Sequence, residues 1–146
     1  MDINQTLNEL LVGLFHDIMT IEEKAIRKGP FKDVTVNDMH VIEAIGIEKS
    51  KNMSTVAKAL GVTMGTLTIS VNALVKKGFV ERVRSEEDRR VVLISLTAKG
   101  KKAFKSHQQF HDDMIHSIVG QLDEDEKKVL EKSLSKLNIF FKEQNS

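Results

Sequence analysis

The sequence predicts a mainly α-helical protein carrying one small β-hairpin. Apolar residues recur at three- and four-residue spacing over most of the 146 positions. The period falls to two only at residues 79–84 and 91–96, on either side of a charged stretch. Charge is also segregated: residues 1–52 and 106–146 each carry a net −3, whereas 53–105 carry +7. A basic middle between acidic ends is the layout of a nucleic-acid-binding module held on another unit. The plainer reading of that middle is a solvated basic face.

Composition excludes several classes. A chain that is 40% hydrophobic and 29% charged is globular rather than disordered, and is long enough to bury a core. It has no cysteine, which removes disulfides, thiolate metal sites and thiol redox chemistry. No apolar run reaches the roughly 18 residues of a membrane span. The N-terminus lacks the basic-then-apolar pattern of a secretory leader. The expected setting is the cytoplasm, away from membranes, with no cofactor.

The first element is an amphipathic helix with Leu7, Leu11, Leu14, Ile18 and Ile21 along one side, ended by Gly29-Pro30. Thr35 caps a second helix with Asp38 answering it, and Met39, Ile42 and Ile45 form its apolar face. Residues 53–60 form a short third helix with Val56, Ala57 and Leu60 inward. After the turn at Gly61, Thr63 caps a fourth helix running to Lys77, with Leu67, Val71 and Leu74 inward and Gly78 as its stop. Two helices joined by a short glycine turn make a helix-turn-helix. The hairpin that follows is then a wing. Thr97 caps a long helix, broken near Gly120, with Phe104, His107, His111, Met114 and Ile118 on one stripe. Asp123 and Glu126 start the last helix, with Leu130, Leu134, Leu137 and Phe141 on one face. The chain therefore reads as a single domain over 1–146. Its winged helix-turn-helix lobe spans 34–97, and the helices at 1–30 and 98–146 pack across the two-fold axis of a homodimer.

A recognition helix reads base edges with its N-terminal half. Here Thr68, Ile69 and Asn72 share an outer face, while Leu67 and Val71 turn inward. No arginine is present to bind guanine. Threonine methyls and Ile69 suit thymine methyls, and Asn72 can pair with adenine, so the expected target is an A·T-rich palindromic duplex. Thr66 and Asn72 can equally serve as a cap or a phosphate contact. Lys76 suits a phosphate; with Lys77 it also suits the helix dipole. On the wing, Arg84, Arg89 and Arg90 crowd around Asp88. An arginine there fits a narrow minor groove, and Asp88 can hold a guanidinium in a bidentate pair. The alternative is a surface ion-pair cluster of little energetic weight.

These residues resemble the MarR family of winged-helix repressors over nearly the whole chain. The resemblance rests on Met53-Ser-Thr-Val-Ala-Lys-Ala-Leu60, on Val62-Thr63 through Gly78, and on Asp88-Arg-Arg90 followed by Leu96-Thr-x-x-Gly100. It implies a triangular homodimer with recognition helices in successive major grooves and wings in the flanking minor grooves. It matches Arg90 to the family's wing arginine and Asp88 to its partner. Ser85 is a departure, since many members carry a second aspartate there. Phe31-Lys-Asp33, Met39-His40, Val62-Thr-x-Gly-Thr66, Arg84-Ser-Glu-x-Asp-Arg-Arg-Val-Val92 and Phe110-His111 are similar to the fatty-acid-synthesis repressors of Gram-positive bacteria. That similarity implies a long-chain acyl corepressor delivered on acyl carrier protein.

Three histidines invite a role. His107 and His111 are one helical turn apart, and His40 lies near the region where the family forms its effector pocket. They are candidates to line an acyl pocket between the dimer helices and the winged lobe. Two alternatives stand beside it. One is a zinc site completed by Glu22 or Glu23, as in zinc-sensing relatives; the other is a set of satisfied structural histidines. An enzyme is not expected: Gly-x-Ser-x-Gly, Gly-x-Gly-x-x-Gly and P-loop motifs are all missing.

Overall fold

The computed structural model describes residues 2–145. Its elements are α1 (Ile3–Lys28), α2 (Val36–Ile45), β1 (Lys51–Asn52), α3 (Met53–Leu60), α4 (Met64–Lys77), β2 (Val80–Arg84), β3 (Val92–Leu96), α5 (Ala98–Val119) and α6 (Glu124–Gln144). The expected helical protein with a wing is what forms. One element is additional: β1 adds to the hairpin, giving a three-stranded antiparallel sheet in the order β1-β3-β2. Lys51 pairs with Ile94 and Asn52 with Leu93. The chain divides into two compact units, Met1–Gln108 and Gln109–Ser146.

In the first unit, local chemistry sets each boundary. Thr35 and Asp38 form a reciprocal capping box at the start of α2. The buried Asp38 carboxylate also accepts from Lys77 Nζ at 2.7 Å, which ties the start of α2 to the end of α4. Lys77 is thereby committed to the fold. Gly61 lies in the left-handed region at φ 68°, and α3 and α4 cross at 106°. That angle is within the usual range for a helix-turn-helix. Gly78, at φ 87°, ends α4 and turns the chain into β2.

The core gathers where these elements meet. Ile42 and Ile45 from α2, Val56 from α3, Leu67, Val71 and Leu74 from α4, Phe79, and Ile94 from β3 are all essentially inaccessible. Leu60, expected to point inward, packs at the margin of this cluster. Phe79 is the largest fully buried side chain, its ring edge-on to Phe31 at 5.8 Å.

The Leu96-Thr-x-x-Gly100 motif acquires a physical meaning here. Thr97 Oγ1 accepts from the Gly100 amide at 3.1 Å and donates to the Gly78 carbonyl at 2.6 Å. The Thr97 amide donates to the Phe79 carbonyl at 3.0 Å. A Cβ on Gly100 would stand 2.1 Å from that carbonyl oxygen, so only glycine fits. Lys99 Nζ donates to the Lys77 carbonyl at 3.0 Å and lies 4.3 Å from the centre of the Phe79 ring. The end of α4, the base of the wing and the start of α5 are thus knotted together.

In the second unit, Asp123 and Glu126 form the expected capping box for α6. None of the described α6 residues is buried, and Leu130, Leu134, Phe140 and Phe141 are exposed. On α1 in the first unit, Leu7, Leu11, Leu14, Phe15, Ile18 and Ile21 are likewise exposed, whereas Glu22 and Ile26 near its end are buried.

Candidate nucleic-acid interface and histidine cluster

The recognition helix starts at a cap in which one of the candidate DNA contacts, Thr66, takes part. Thr63 Oγ1 accepts from the Thr66 amide at 3.1 Å and donates to Thr66 Oγ1 at 3.0 Å. Thr66 therefore belongs to the cap. Thr68 donates its hydroxyl to the Met64 carbonyl at 2.8 Å, so that proton is taken, while the oxygen can still accept and the methyl group remains for apolar contact. Ile69 is 73% exposed, an unusual state for isoleucine. Lys76 is exposed.

Asn72 is placed differently from its sequence reading. Its Oδ1 accepts a hydrogen bond from Arg82 Nη2. Arg82 lies on β2, two residues beyond the buried Val80 and hence on the same strand face. Arg82, which the sequence reading did not single out, is thereby brought against α4. Only the alternation that puts it on the face of Val80 hinted at it.

The wing tip carries the expected bidentate pair. Arg90 Nε donates to Asp88 Oδ1 and Arg90 Nη2 to Asp88 Oδ2, both at 3.1 Å, and the Arg90 amide also donates to Oδ1 at 3.1 Å. These bonds from Arg90 hold the Asp88 carboxyl below the usual carboxylate range. Arg84 donates to the Arg89 carbonyl at 2.8 Å, closing the tip. Ser85 accepts from the Asp88 amide at 3.4 Å. The side chain of Arg90 is 91% exposed: its position is fixed, yet its surface is open.

A second cluster lies inside the first unit. His40 Nε2 is 2.9 Å from Glu22 Oε1, and Glu22 is buried. His107, also buried, places Nε2 2.6 Å from Glu43 Oε1 and 3.9 Å from Glu22 Oε1. One carboxylate thus joins two imidazoles from α2 and α5, a donor set that suits either a hydrogen-bonded network or a divalent ion. Glu23 takes no part, because it pairs with Arg27 on the exposed side of α1. That removes Glu23 from the candidate ligands. His111 belongs to the second unit, its ring centre 5.4 Å from that of Phe110. His40 also lines a cavity of about 120 Å³ with Asn37, Thr66 and Ser70, between α2 and α4.

A buried-core helix-turn-helix with an arginine-tipped wing defines a winged-helix DNA-binding regulator. A family model described as transcriptional regulator SarA/Rot matches residues 30–107. The chain belongs to this family of MarR-like winged-helix transcriptional regulators, and it is not an enzyme. Streptococcus pneumoniae FabT, solved in complex with DNA, superposes with a TM-score of 0.93 at 41% identity, over 97% of this chain and 99% of that one. The transcriptional regulator BilQ of Clostridium symbiosum is 35% identical over 105 residues, 71% of this chain and 72% of BilQ. The multiple antibiotic resistance protein MarR of Escherichia coli is 32% identical over 106 residues, 72% of this chain and 74% of that protein. Among the described residues no single helix is long and apolar enough to cross a membrane.

Proposed function

We propose that this regulator is a cytoplasmic homodimeric repressor of fatty-acid synthesis genes, with long-chain acyl groups on acyl carrier protein as its corepressor. The observation that carries the reading is the full-length likeness to FabT, reported in complex with DNA. Segments from Phe31-Lys-Asp33 to Phe110-His111, spread along the chain, resemble fatty-acid-synthesis repressors and support the same reading.

The roles follow from the chemistry. Thr68 and Ile69 present methyl groups to thymine, and Asn72 contributes an amide. Arg89 and Arg90 enter the minor groove, with Asp88 holding Arg90, while Lys76 neutralises phosphate. These groups favour an A·T-rich palindrome. The apolar residues left open on α1 and on α6 are the surface a second copy covers. His40 and His107 in the first unit, and separately His111 in the second, are the candidate effector-contacting histidines.

The test is fluorescence anisotropy of the protein on its own promoter and on fatty-acid synthesis promoters. Long-chain acyl carrier protein and the bare carrier are titrated separately with a chelator present. Tighter binding with the acylated carrier alone is expected. No response, with binding restored when zinc replaces the chelator, would overturn the lipid reading in favour of a zinc-responsive regulator.

A further inference from the structure

We propose that Arg82 is a specificity-determining residue that acts through Asn72. It holds Asn72 Oδ1, so that Asn72 addresses DNA as a hydrogen-bond donor rather than as a two-sided adenine reader. The inference rests on the DNA-reading role of α4 proposed above.

The argument begins with the amide. Asparagine pairs bidentately with adenine by accepting from N6 through its oxygen and donating to N7 through its nitrogen. A free asparagine amide can rotate to present either end, so its preference is set by whatever fixes it. Here Arg82 Nη2 donates to Asn72 Oδ1. A guanidinium bond is charge-assisted and stronger than a neutral one. The oxygen is turned to the wing, and the Nδ2 hydrogens are left for a partner. Both residues are exposed.

The fold makes this pairing dependable. Asn72 follows the buried Val71 on α4, and Arg82 follows the buried Val80 by two residues on β2. Gly78 turns the chain between them, and the Phe79 amide donates to the Leu74 carbonyl at 2.9 Å. Helix and strand are therefore held in one geometry directly beneath the pair. A donor-only Asn72 favours base edges that accept, such as purine N7, guanine O6 or thymine O4. It disfavours positions where the exposed group is a cytosine or adenine amine.

The experiment compares the full-length wild type with Arg82→Met, Asn72→Ala and the double variant. Binding sites are selected from a randomised duplex library. Dissociation constants are then measured on every single-base variant of the selected site, at several salt concentrations. Arg82→Met keeps the aliphatic stem, and Arg82→Lys keeps the charge without the planar fork. The expected result is a change of base preference, on the order of fivefold or more, at the one position per half-site that Asn72→Ala also relaxes. At that position the double variant matches Asn72→Ala alone. A uniform loss on all sites with a shallower salt dependence, spared by Arg82→Lys, would reduce Arg82 to a phosphate contact and overturn the inference. An unchanged profile in Arg82→Met would also overturn it. If the wild type itself selects no sequence, the underlying DNA-reading role fails instead, which is a separate result.

Discussion

Asp88 and Arg90 show how much two side chains can do at a loop tip. Their bidentate pair and the extra backbone bond fix a guanidinium whose outer surface stays open. Arg90→Ala is expected to weaken operator binding on the order of tenfold or more, with the thermal unfolding midpoint and the oligomeric state unchanged. Loss of the folded state in that variant would contradict a role in DNA contact. The Asp88 carboxyl has a lowered folded pKa, so its pair with Arg90 is fully formed above the ordinary aspartate range. It is lost only as pH falls through the lowered value. A carboxyl NMR titration placing the Asp88 midpoint at or above that of a free aspartate would refute this. The wing pair was legible in the sequence because its partners are two residues apart at a turn. The Asn72–Arg82 bond was not, since it joins a helix to a strand and depends on how Gly78 aims one past the other. Thr66 was ambiguous in sequence; its amide and hydroxyl both bond Thr63 at the cap, and its side chain stays exposed.

Among elements, the start of α5 is the most constrained. Gly100→Ala places a methyl 2.1 Å from the Phe79 carbonyl oxygen, a contact with backbone that no side-chain rotation relieves. It is expected to destabilise the lobe by about 1–3 kcal/mol or more, read as a lower midpoint in thermal or urea unfolding. A neutral result would mean that α5 shifts freely against β2. The cap of α2 gives a milder prediction. Thr35→Ala removes a capping-box acceptor and should cost about 1 kcal/mol in the same measurement, while DNA affinity per folded molecule is retained. Helices were readable because each carries its own cap and apolar period. The strand β1 was not: it has only two residues, Lys51 and Asn52, and exists because β3 offers it an edge. Pairing of that kind leaves no local periodicity.

For the whole molecule, electrostatics and exposed apolar surface make separable predictions. Net charge is only +1, yet the basic segment from 53 to 105 contains α3, α4 and the wing. Specific binding should fall on the order of a thousandfold between about 50 and about 200 mM salt, as for a protein neutralising several phosphates. An anisotropy titration with little salt dependence would show that phosphate contacts are few. The sequence disclosed the exposed faces of α1 and α6 through their apolar spacing. It did not disclose that Glu22 joins His40 and His107 inside the first unit, because that meeting draws on three helices distant in sequence.

The knot at Thr97 and Gly100 bears on how such a protein is switched. The Thr97 hydroxyl and amide join the backbones of Gly78, Phe79 and Gly100, and Lys99 bonds the Lys77 carbonyl at the end of α4. These contacts join the beginning of α5 to the end of α4 and the base of the wing. A displacement of that part of α5 is therefore expected to carry α4 and the wing with it. The lobe behaves like a stylus clamped to its arm: regulation can lift it, lower it or change its angle, but what it reads when it touches down stays the same.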